Sequence, residues 1–412
     1  MYVINQKLDD NHILIIKTNY FYGMISFDNT KIAFKGKSNK DLNRAYWLFK
    51  IVSKPTFVKF GKWATQFALK LRLPIDGLIK KTIFRQFCGG ISISDSRQTS
   101  IDLAKNNVKT ILDYSIEGKV LEEDFDKTVQ EIICTIMEAA GNSNIPFAVF
   151  KVTGICRFEL LEKANNGIEG LSDKDKIDYN KLIERIDSIC AASFQNNVPL
   201  FIDAEETWIQ ETIDLIAYEM SVKYNQERAI VYNTIQMYRH DRLDFMKVQI
   251  EKATKENWKL GLKIVRGAYM EKERDRAAKL NYPSPIQPDK KSTDKDFNAA
   301  LELAINNIDV CSICCGTHNE ESSLLLTNLL KQQNIQPNND QVYFAQLLGM
   351  SDHISFNLAD NGYMVAKYVP YGPIKEVLPY LLRRADENTS VAGQTGRELS
   401  LIIKERKRRK SN

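Results

Sequence analysis

The chain of 412 residues carries a formal net charge of +5, with 43% hydrophobic and 26% charged residues. This composition is typical of a globular protein with a large core, and it excludes a disordered or collagen-like chain. We expect a cytoplasmic protein, because the sequence has no uncharged apolar run of about 18 residues and no signal-peptide layout at its start. Seven cysteines, an odd number, favour free thiols in a reducing compartment.

The first 108 residues are predicted to form a mainly helical arm. Within it, segment 54–87 has eight lysines and arginines but one acid, Asp76, and large apolar residues are interleaved with the basic ones. Such a pattern predicts basic amphipathic helices. Two interpretations remain open: the helices lie on the inner face of an anionic membrane, or they pack against the main domain with their lysines in solvent.

Eight short β-rich runs alternate with helical stretches after residue 108. The runs are 109–115, 147–153, 199–205, 229–236, 260–268, 309–318, 342–348 and 364–372. Eight strands interleaved with helices over residues 109–395 predict a (β/α)₈ barrel of the TIM type. A doubly wound sheet is the competing fold, but no Gly-x-Gly-x-x-Gly follows the first run.

The segments between and after the strands complete the organisation. Segments 180–194 and 243–258 have helical periodicity. Segment 271–297, with its prolines and polar residues, is predicted to be a long mobile loop after the fifth strand. Residues 396–412 form a basic C-terminal tail, which we interpret as a frayed, solvated helix end. No base-reading module accompanies this charge, so binding of nucleic acid is not expected.

Polar residues lie where several of the predicted strands end, which is where barrel enzymes carry their catalytic groups. These residues are Lys151, Asp203, Gln236, Lys263, Thr317, His318 and Tyr368. A lysine or carboxylate buried at such a position is costly unless it is paired with another charge or with a ligand. A structural ion pair between Lys151 and Asp203 is the alternative to a catalytic role.

Four residues of segment 380–387 share one stripe of a predicted helix, at positions i, i+3, i+4 and i+7. They are Tyr380, Arg383, Arg384 and Glu387. Adjacent guanidinium groups repel each other unless an anion lies between them, and a small carboxylate suits their forked donors. The stripe therefore predicts an anion clamp. The alternative is a solvated face on which the arginines pair with Asp386 and Glu387.

A metal site is not expected. Cys311, Cys314 and Cys315 with His318 superficially suggest zinc. The thiols alternate with apolar residues, however, and this alternation is more typical of a strand packed in the core.

Several motifs resemble those of the FAD-dependent proline dehydrogenases, in the same order and at the same strand ends. They lie at 202–205 (Ile-Asp-Ala-Glu), 265–269 (Val-Arg-Gly-Ala-Tyr), 316–319 (Gly-Thr-His-Asn), 346–350 and 368–390. The resemblance covers about residues 109–395. It implies a (β/α)₈ barrel that holds FAD at the strand C-termini without a dinucleotide-binding domain. It also implies oxidation of L-proline to Δ1-pyrroline-5-carboxylate by hydride transfer from C5 to flavin N5, with a membrane quinone receiving the electrons.

The same resemblance implies roles for individual residues. Arg383 and Arg384 would clamp the proline carboxylate with Lys151 as a third cation, and Glu117 would match a gate residue that pairs with the clamp. Asp203 would order the site through Tyr368, Tyr368 and Tyr380 would pack against the substrate ring, and Lys263 would stand at the flavin side. The expected FAD contacts are Ala204, Gln236, Arg266, Gly267, Ala268, Thr317 and His318.

Three alternative functions remain open. A 4-hydroxyproline dehydrogenase is the nearest, although Tyr368 is expected to crowd a hydroxyl group on the ring. A Schiff-base aldolase could use Lys151 or Lys263 as its nucleophile. A binding protein for small acids could use the arginine clamp without any catalysis.

Overall fold

Eight parallel strands close into one barrel in the computed structural model of the chain, which describes residues 25–71, 75–115, 121–390 and 394–411. The strands pair in sequence order, and β8 closes the barrel on β1. They are β1 (Val108–Tyr114), β2 (Phe147–Lys151), β3 (Leu200–Asp203), β4 (Val231–Gln236), β5 (Leu260–Val265), β6 (Cys311–Gly316), β7 (Val342–Leu347) and β8 (Val365–Tyr371). The predicted (β/α)₈ barrel is confirmed.

Helices surround the barrel and form the arm that precedes it. The arm contains α1 (Thr30–Ala33), α2 (Asn39–Val52), α3 (Pro55–Lys70), α4 (Asp76–Ile79), a π-helical turn (Lys80–Phe84), α5 (Arg85–Phe87) and α6 (Ile93–Ala104). The barrel adds α7 (Glu122–Ala139), α8 (Phe158–Ala164), α9 (Asp173–Gln195), α10 (Thr207–Tyr224), α11 (Arg242–Glu256), α12 (Met270–Leu280), α13 (Lys290–Asn306), α14 (Glu320–Gln332), α15 (Asp352–Asp360) and α16 (Ile374–Ser390). The last helix is α17 (Gln394–Lys410).

The two predicted helical segments are confirmed. Segment 180–194 lies within α9, which starts earlier because the Ser172 side chain accepts a hydrogen bond from the backbone N–H of Asp175 and caps the helix. Segment 243–258 corresponds to α11, which ends at Asn257 in the left-handed conformation that commonly closes a helix.

Aromatic side chains fill the N-terminal end of the barrel interior. Phe147 stacks on Phe201 with 4.3 Å between ring centroids, and Tyr343 meets Phe147 edge-on at 4.8 Å. Tyr232 packs edge-on against the same pair. Offset and edge-on contacts of this kind are the favourable geometries for aromatic rings. The interior is therefore closed at this end, and polar side chains occupy the opposite, C-terminal end.

The prediction of a long mobile loop at 271–297 is wrong. Helix α12 begins at Met270, and α13 begins at Lys290, so the non-helical connection is short. Asn281 ends α12 in a left-handed conformation, and the Asp289 side chain accepts from the backbone N–H of Ser292 to start α13. The prolines that suggested a loop lie in this connection alone.

The interpretation of the C-terminal tail as a frayed, solvated helix end is also wrong. Leu401 and Ile402 of α17 are buried in one cluster with α2 residues. Glu405 lies fully buried and pairs with Arg408 and Arg409. Arg409 in turn donates to the backbone oxygen of Phe34 at 2.8 Å. The helical spacing of Leu401, Ile402 and Glu405 was the available signal, and the run of positive charge concealed it.

The described part of the arm is mainly helical, as predicted, and residues 1–24 lie outside the described ranges. Its α4–α5 region packs Phe84 and Phe87 against Val377 and Leu381 of α16. Helix α3 instead exposes Phe57, whose side chain is 54% accessible. Across the ranges that the structure describes, no helix is both long and apolar enough to span a bilayer.

Candidate active site

Four charged side chains form a layer above the aromatic floor of the barrel, and we call it the inner charged layer. Its members are Asp113, Lys151, Asp203 and Lys263, from β1, β2, β3 and β5. Asp113, Lys151 and Asp203 each lie two residues after an apolar residue of the interior cluster. These apolar residues are Ile111, Val149 and Phe201. Since side chains alternate across a strand, these positions point to the same face. The layer therefore faces the C-terminal mouth of the barrel.

Lys263 occupies the centre of this layer. Its ammonium group is paired with Asp203 and donates a hydrogen bond to the Tyr368 hydroxyl at 2.8 Å. It also lies over the rings of Phe201 and Tyr368, at 5.3 Å and 4.9 Å from their centroids. Only 5% of Lys263 is exposed, so the carboxylate and the aromatic faces replace its hydration. Lys263 thus connects Asp203 to Tyr368. The family resemblance implied a direct contact between these two residues.

Lys151 lies beside Asp203 in the register of β2 and β3. Its ammonium group is 3.4 Å from the Tyr269 hydroxyl, which follows β5. The ion pair of Asp203 is formed with Lys263, whereas the alternative considered from the sequence paired Asp203 with Lys151. Lys151 is partly exposed at the end of β2.

Asp113 is a member of the layer that the sequence analysis missed. The Ser115 hydroxyl donates to its carboxylate at 2.6 Å. Desolvation raises the pKa of this carboxyl group, and the charge of Asp203 raises it further, while Lys151 and Lys263 oppose both effects. The signal was an acid two residues after Ile111 in a predicted strand. The layer therefore combines two acids with two lysines.

Helix α16 carries Arg383 and Arg384, the residues of the predicted anion clamp. It begins three residues after β8 ends, and Gly372 between them has φ +144°, which favours glycine. Arg384 is buried and its guanidinium lies 5.1 Å from the centroid of the Tyr380 ring, whereas Arg383 is partly exposed. Glu117 and the side chain of Glu387 lie outside the described residues.

The end of β3 and the end of β4 are tied together on the rim. Gln236 donates to the backbone oxygen of Glu205 at 2.7 Å, next to the partly exposed Ala204. The Glu205 carboxylate accepts from the backbone N–H of Thr153 at 3.0 Å and from its hydroxyl at 2.5 Å. Burial raises the pKa of Glu205 to about 7, although Lys151 and the Thr153 hydrogen bonds oppose it.

The end of β5 presents bare backbone to the rim. Gly267 has φ +127°, and a Cβ atom there would lie 2.5 Å from the Tyr238 ring, so only glycine fits. Ala268 beside it is exposed. Arg266 points the other way: it donates to Asp294 and Thr317 at 2.7 Å each and to the Ser322 hydroxyl at 2.9 Å.

The end of β6 contributes Thr317 and His318. The backbone oxygen of Thr317 accepts from the Gln346 amide at 3.0 Å. His318 Nδ1 is 2.9 Å from the Ser351 hydroxyl. Loss of solvent, together with the positive charges of Lys367 and Arg384, lowers the pKa of His318 to about 3. Its imidazole is therefore neutral at physiological pH.

The family model described as proline dehydrogenase matches residues 96–397, well over half of the chain. The chain belongs to the proline dehydrogenase family. Members of this family are oxidoreductases that act on the CH–NH group of proline, and the predicted family and enzyme class are thereby confirmed.

The buried cysteines of β6 are core residues, and the described part of the chain holds no cluster of three potential metal ligands.

Two curated relatives and one solved structure illustrate the extent of the match. Proline dehydrogenase 1, mitochondrial, of Dictyostelium discoideum is 35% identical over 83% of this chain and 67% of its own length. The human protein of the same name is 37% identical, over 58% of this chain and 40% of its own. Proline utilization A (PutA) from Bdellovibrio bacteriovorus matches with a TM-score of 0.69 over 91% of this chain and 40% of that one. At 18% identity, that structure supports the fold alone.

The rim of this proline dehydrogenase family member fits a flavin cofactor. Gly267 leaves backbone that a diphosphate can approach closely, because a side chain there is excluded. An amide (Gln236) lies at the end of β4, and a hydroxyl (Thr317) and a neutral imidazole (His318) follow β6, with β5 between these two strands. A pocket for a large planar ligand commonly uses a few polar groups of this kind to orient it.

Proposed function

We propose that this chain oxidises L-proline to Δ1-pyrroline-5-carboxylate, with FAD as hydride acceptor and a membrane quinone as the final electron acceptor. One observation carries the proposal. In a chain of the proline dehydrogenase family, charged side chains gather at the C-terminal ends of the barrel strands, and the helix that follows β8 carries Arg383 and Arg384. That arrangement suits a small amino acid, which has an anionic end, a nitrogen and an apolar ring.

The substrate carboxylate binds between Arg383, Arg384 and Lys151 in this proposal. Forked guanidinium donors grip a carboxylate at two points, and they do so more strongly where water is excluded. Tyr368 and Tyr380, both buried, pack against the two sides of the pyrrolidine ring. Binding at both ends fixes the orientation of the C5 carbon, and orientation supplies much of the rate enhancement.

The amine must be neutral when C5 loses its hydride, because an ammonium nitrogen has no lone pair to stabilise the developing cation. The positive charges of Lys151, Lys263 and the arginines favour loss of the amine proton. FAD, when bound, supplies the acceptor for the hydride. Gln236, Thr317 and His318 would hold it at the rim, and Lys263 would stand at its flavin side.

The exposed apolar residues of the 54–87 segment support the proposal that the reaction occurs at the cytoplasmic face of a membrane. Helix α3 exposes Trp63 and Phe67, whose rings stack on each other with 5.4 Å between centroids. Lys80 and Lys81 of the following π-helical turn are exposed as well. Exposed basic and aromatic side chains of this kind suit an anionic lipid layer that contains the quinone.

Anaerobic titration of the flavin-loaded protein with L-proline tests the proposal. We expect loss of the oxidised flavin absorbance on addition of L-proline. Cyclopentanecarboxylate is the matched control, because it offers the carboxylate and the ring but no nitrogen beside a C–H bond. It should perturb the spectrum without bleaching it.

Four results would contradict the proposal. Protein that takes up no FAD, or bound flavin that L-proline cannot reduce, would exclude proline oxidation. Covalent trapping of a carbonyl substrate on Lys151 or Lys263 by borohydride would favour the aldolase instead. Faster reduction by 4-hydroxyproline than by proline would make hydroxyproline the substrate.

A further inference from the structure

The turn between β7 and α15 joins the C-terminal helix to the rim of the barrel. Ser351 in this turn is fully buried and has φ +50°, an uncommon conformation for a residue with a side chain. Its backbone N–H donates to the Glu398 carboxylate of α17. Its hydroxyl group lies 2.9 Å from His318 Nδ1. Ser351 thus contacts both Glu398 of α17 and His318, which follows β6.

The same turn is linked to the other side of the rim through hydrogen bonds. The Ser355 hydroxyl donates to the Gln346 side-chain oxygen at 2.7 Å, and the Gln346 amide donates to the backbone oxygen of Thr317 at 3.0 Å. Gly349 has φ +77°, and a Cβ atom there would lie 2.1 Å from the backbone oxygen of Gln86. The turn has little freedom to move while these contacts persist.

Glu398 is not required to attach α17 to the protein. Leu401 and Ile402 bury the same helix against α2, and Glu405 pairs with Arg409 of its own helix, which donates to the backbone oxygen of Phe34. A buried carboxylate is a costly choice for simple packing. Burial raises the pKa of the Glu398 carboxyl group, whereas His353 and the N–H of Ser351 oppose the rise. What Glu398 adds is an acceptor for a backbone group in a strained turn.

We propose that Glu398 is a positioning residue for the cofactor pocket: it holds Ser351 in its left-handed conformation, and Ser351 fixes the ring of His318. Nδ1 of His318 is engaged by Ser351, and within the described residues Nε2 makes no hydrogen bond, so Nε2 is left for a ligand. The proposal rests on the proposed function, because it takes that ligand to be FAD. Groups that orient a metal-binding histidine commonly change metal affinity about 10- to 100-fold, and we expect a similar dependence for a histidine that binds FAD.

The test compares Glu398→Ala with Glu405→Ala. Both variants remove a buried carboxylate from α17, but Glu398 alone contacts the turn. We expect the dissociation constant for FAD, measured by reconstitution of the apoprotein, to rise about tenfold in Glu398→Ala and to stay near the parent value in Glu405→Ala. Glu398→Gln keeps an acceptor oxygen for the Ser351 N–H and should restore tight binding. Ser351→Ala, which removes the hydroxyl group, should weaken FAD binding as Glu398→Ala does.

A second measurement does not depend on FAD. The chain has four histidines, so ¹⁵N-histidine NMR can follow His318 directly, with His318→Gln to assign its signals. We expect one fixed neutral tautomer in the parent and in Glu405→Ala, and averaged ring signals in Glu398→Ala. Unchanged His318 signals in Glu398→Ala, or equal losses of FAD in both alanine variants, would overturn the positioning role. Failure of the parent to bind FAD would instead overturn the proposed function, while the NMR comparison would still decide on Glu398.

Discussion

Opposite charges balance one another in the inner charged layer. Burying a single lysine or carboxylate would cost several kcal/mol, and the cost falls when a partner and further hydrogen bonds are present. Lys263 has such a partner in Asp203 and an additional acceptor in the Tyr368 hydroxyl. In the proposed function, Arg383 and Arg384 on α16 recognise the substrate carboxylate. These two residues are the best place to test recognition.

Arg384→Met is expected to weaken proline binding without loss of FAD. Removal of one partner from a charged contact in a desolvated site costs about 2–5 kcal/mol, so the Kd for proline should rise at least about 30-fold. Arg383→Met should act in the same direction. Spectral titration with proline measures both, and Arg97→Met, at an exposed arginine paired with Glu138, is the matched control. An unchanged Kd in both clamp variants would contradict the clamp.

Tyr368→Ser is expected to favour 4-hydroxyproline relative to proline. The smaller side chain opens space over the ring, and the lost packing lowers kcat/KM for proline. Tyr368→Phe is the matched control, because it keeps the ring and removes only the hydroxyl that accepts from Lys263. The ratio of kcat/KM for the two substrates should rise in the serine variant alone. A ratio that moves toward proline would show that Tyr368 does not face the substrate ring.

At the scale of elements, alternation and periodicity predicted the strands but not their ends. Runs 199–205 and 260–268 were predicted as strands, yet β3 ends at Asp203 and β5 at Val265. The backbone leaves the sheet there because Glu205 turns to bind Thr153 and Gly267 adopts a positive φ. The Glu205–Thr153 hydrogen bond and the approach of Tyr238 to Gly267 are tertiary contacts, which local sequence does not encode. Site residues gather at such ends, so the candidate site could be predicted as a set of strand ends. The pairing of Lys263 with Asp203 and the presence of Asp113 could not be predicted.

The link between the ends of β2 and β3 should make stability depend on pH. The pKa of the Glu205 carboxyl is about 7 in the folded protein against 4.5 as its ordinary value. Between these values the folded state holds more protons than the unfolded state, so the free energy of unfolding falls as pH rises through this window. Glu205 lowers the free energy of unfolding by on the order of 3 kcal/mol at most. This decrease is complete above about pH 7.

Glu205→Gln is expected to remove this part of the pH dependence, because a glutamine does not titrate. Urea unfolding at about pH 4.5, 6 and 7.5 measures the free energy at the two ends and the middle of the window. Glu251→Gln, at an exposed position of α11, is the control that should follow the parent. If the Glu205→Gln profile is as steep as that of the parent, another group is responsible for the slope.

At the scale of the whole molecule, the arm has two different faces. Its α4–α5 region packs on α16 and so supports the helix that carries the arginine clamp. Its α3 helix leaves Trp63 59% exposed and Phe67 50% exposed, and Lys54 lies over the exposed Phe57 ring at 5.6 Å. The two interpretations of this segment therefore apply to different parts of it. Packing explains the buried side of the α4–α5 region, while the outer face of α3 and the exposed Lys80 and Lys81 are available for a membrane.

Reversal of four exposed lysines of the arm to glutamate is expected to weaken binding to anionic vesicles and to slow quinone-linked turnover. The four are Lys54, Lys70, Lys80 and Lys81. Each basic residue near an anionic leaflet contributes about 1 kcal/mol before salt screens it. Binding of the parent should therefore weaken as salt is added. Turnover with a soluble dye as acceptor should be unchanged, because the barrel mouth and the α16 arginines are untouched.

The matched control reverses four exposed lysines on the barrel helices, at Lys127, Lys247, Lys255 and Lys279. The change in net charge is the same, so a general electrostatic effect would weaken vesicle binding equally in both variants. A membrane-facing arm instead requires that the arm variant alone loses vesicle binding and quinone turnover. If the arm variant co-sediments with vesicles as the parent does, or if it also loses activity with the dye, then α3 supports the fold only.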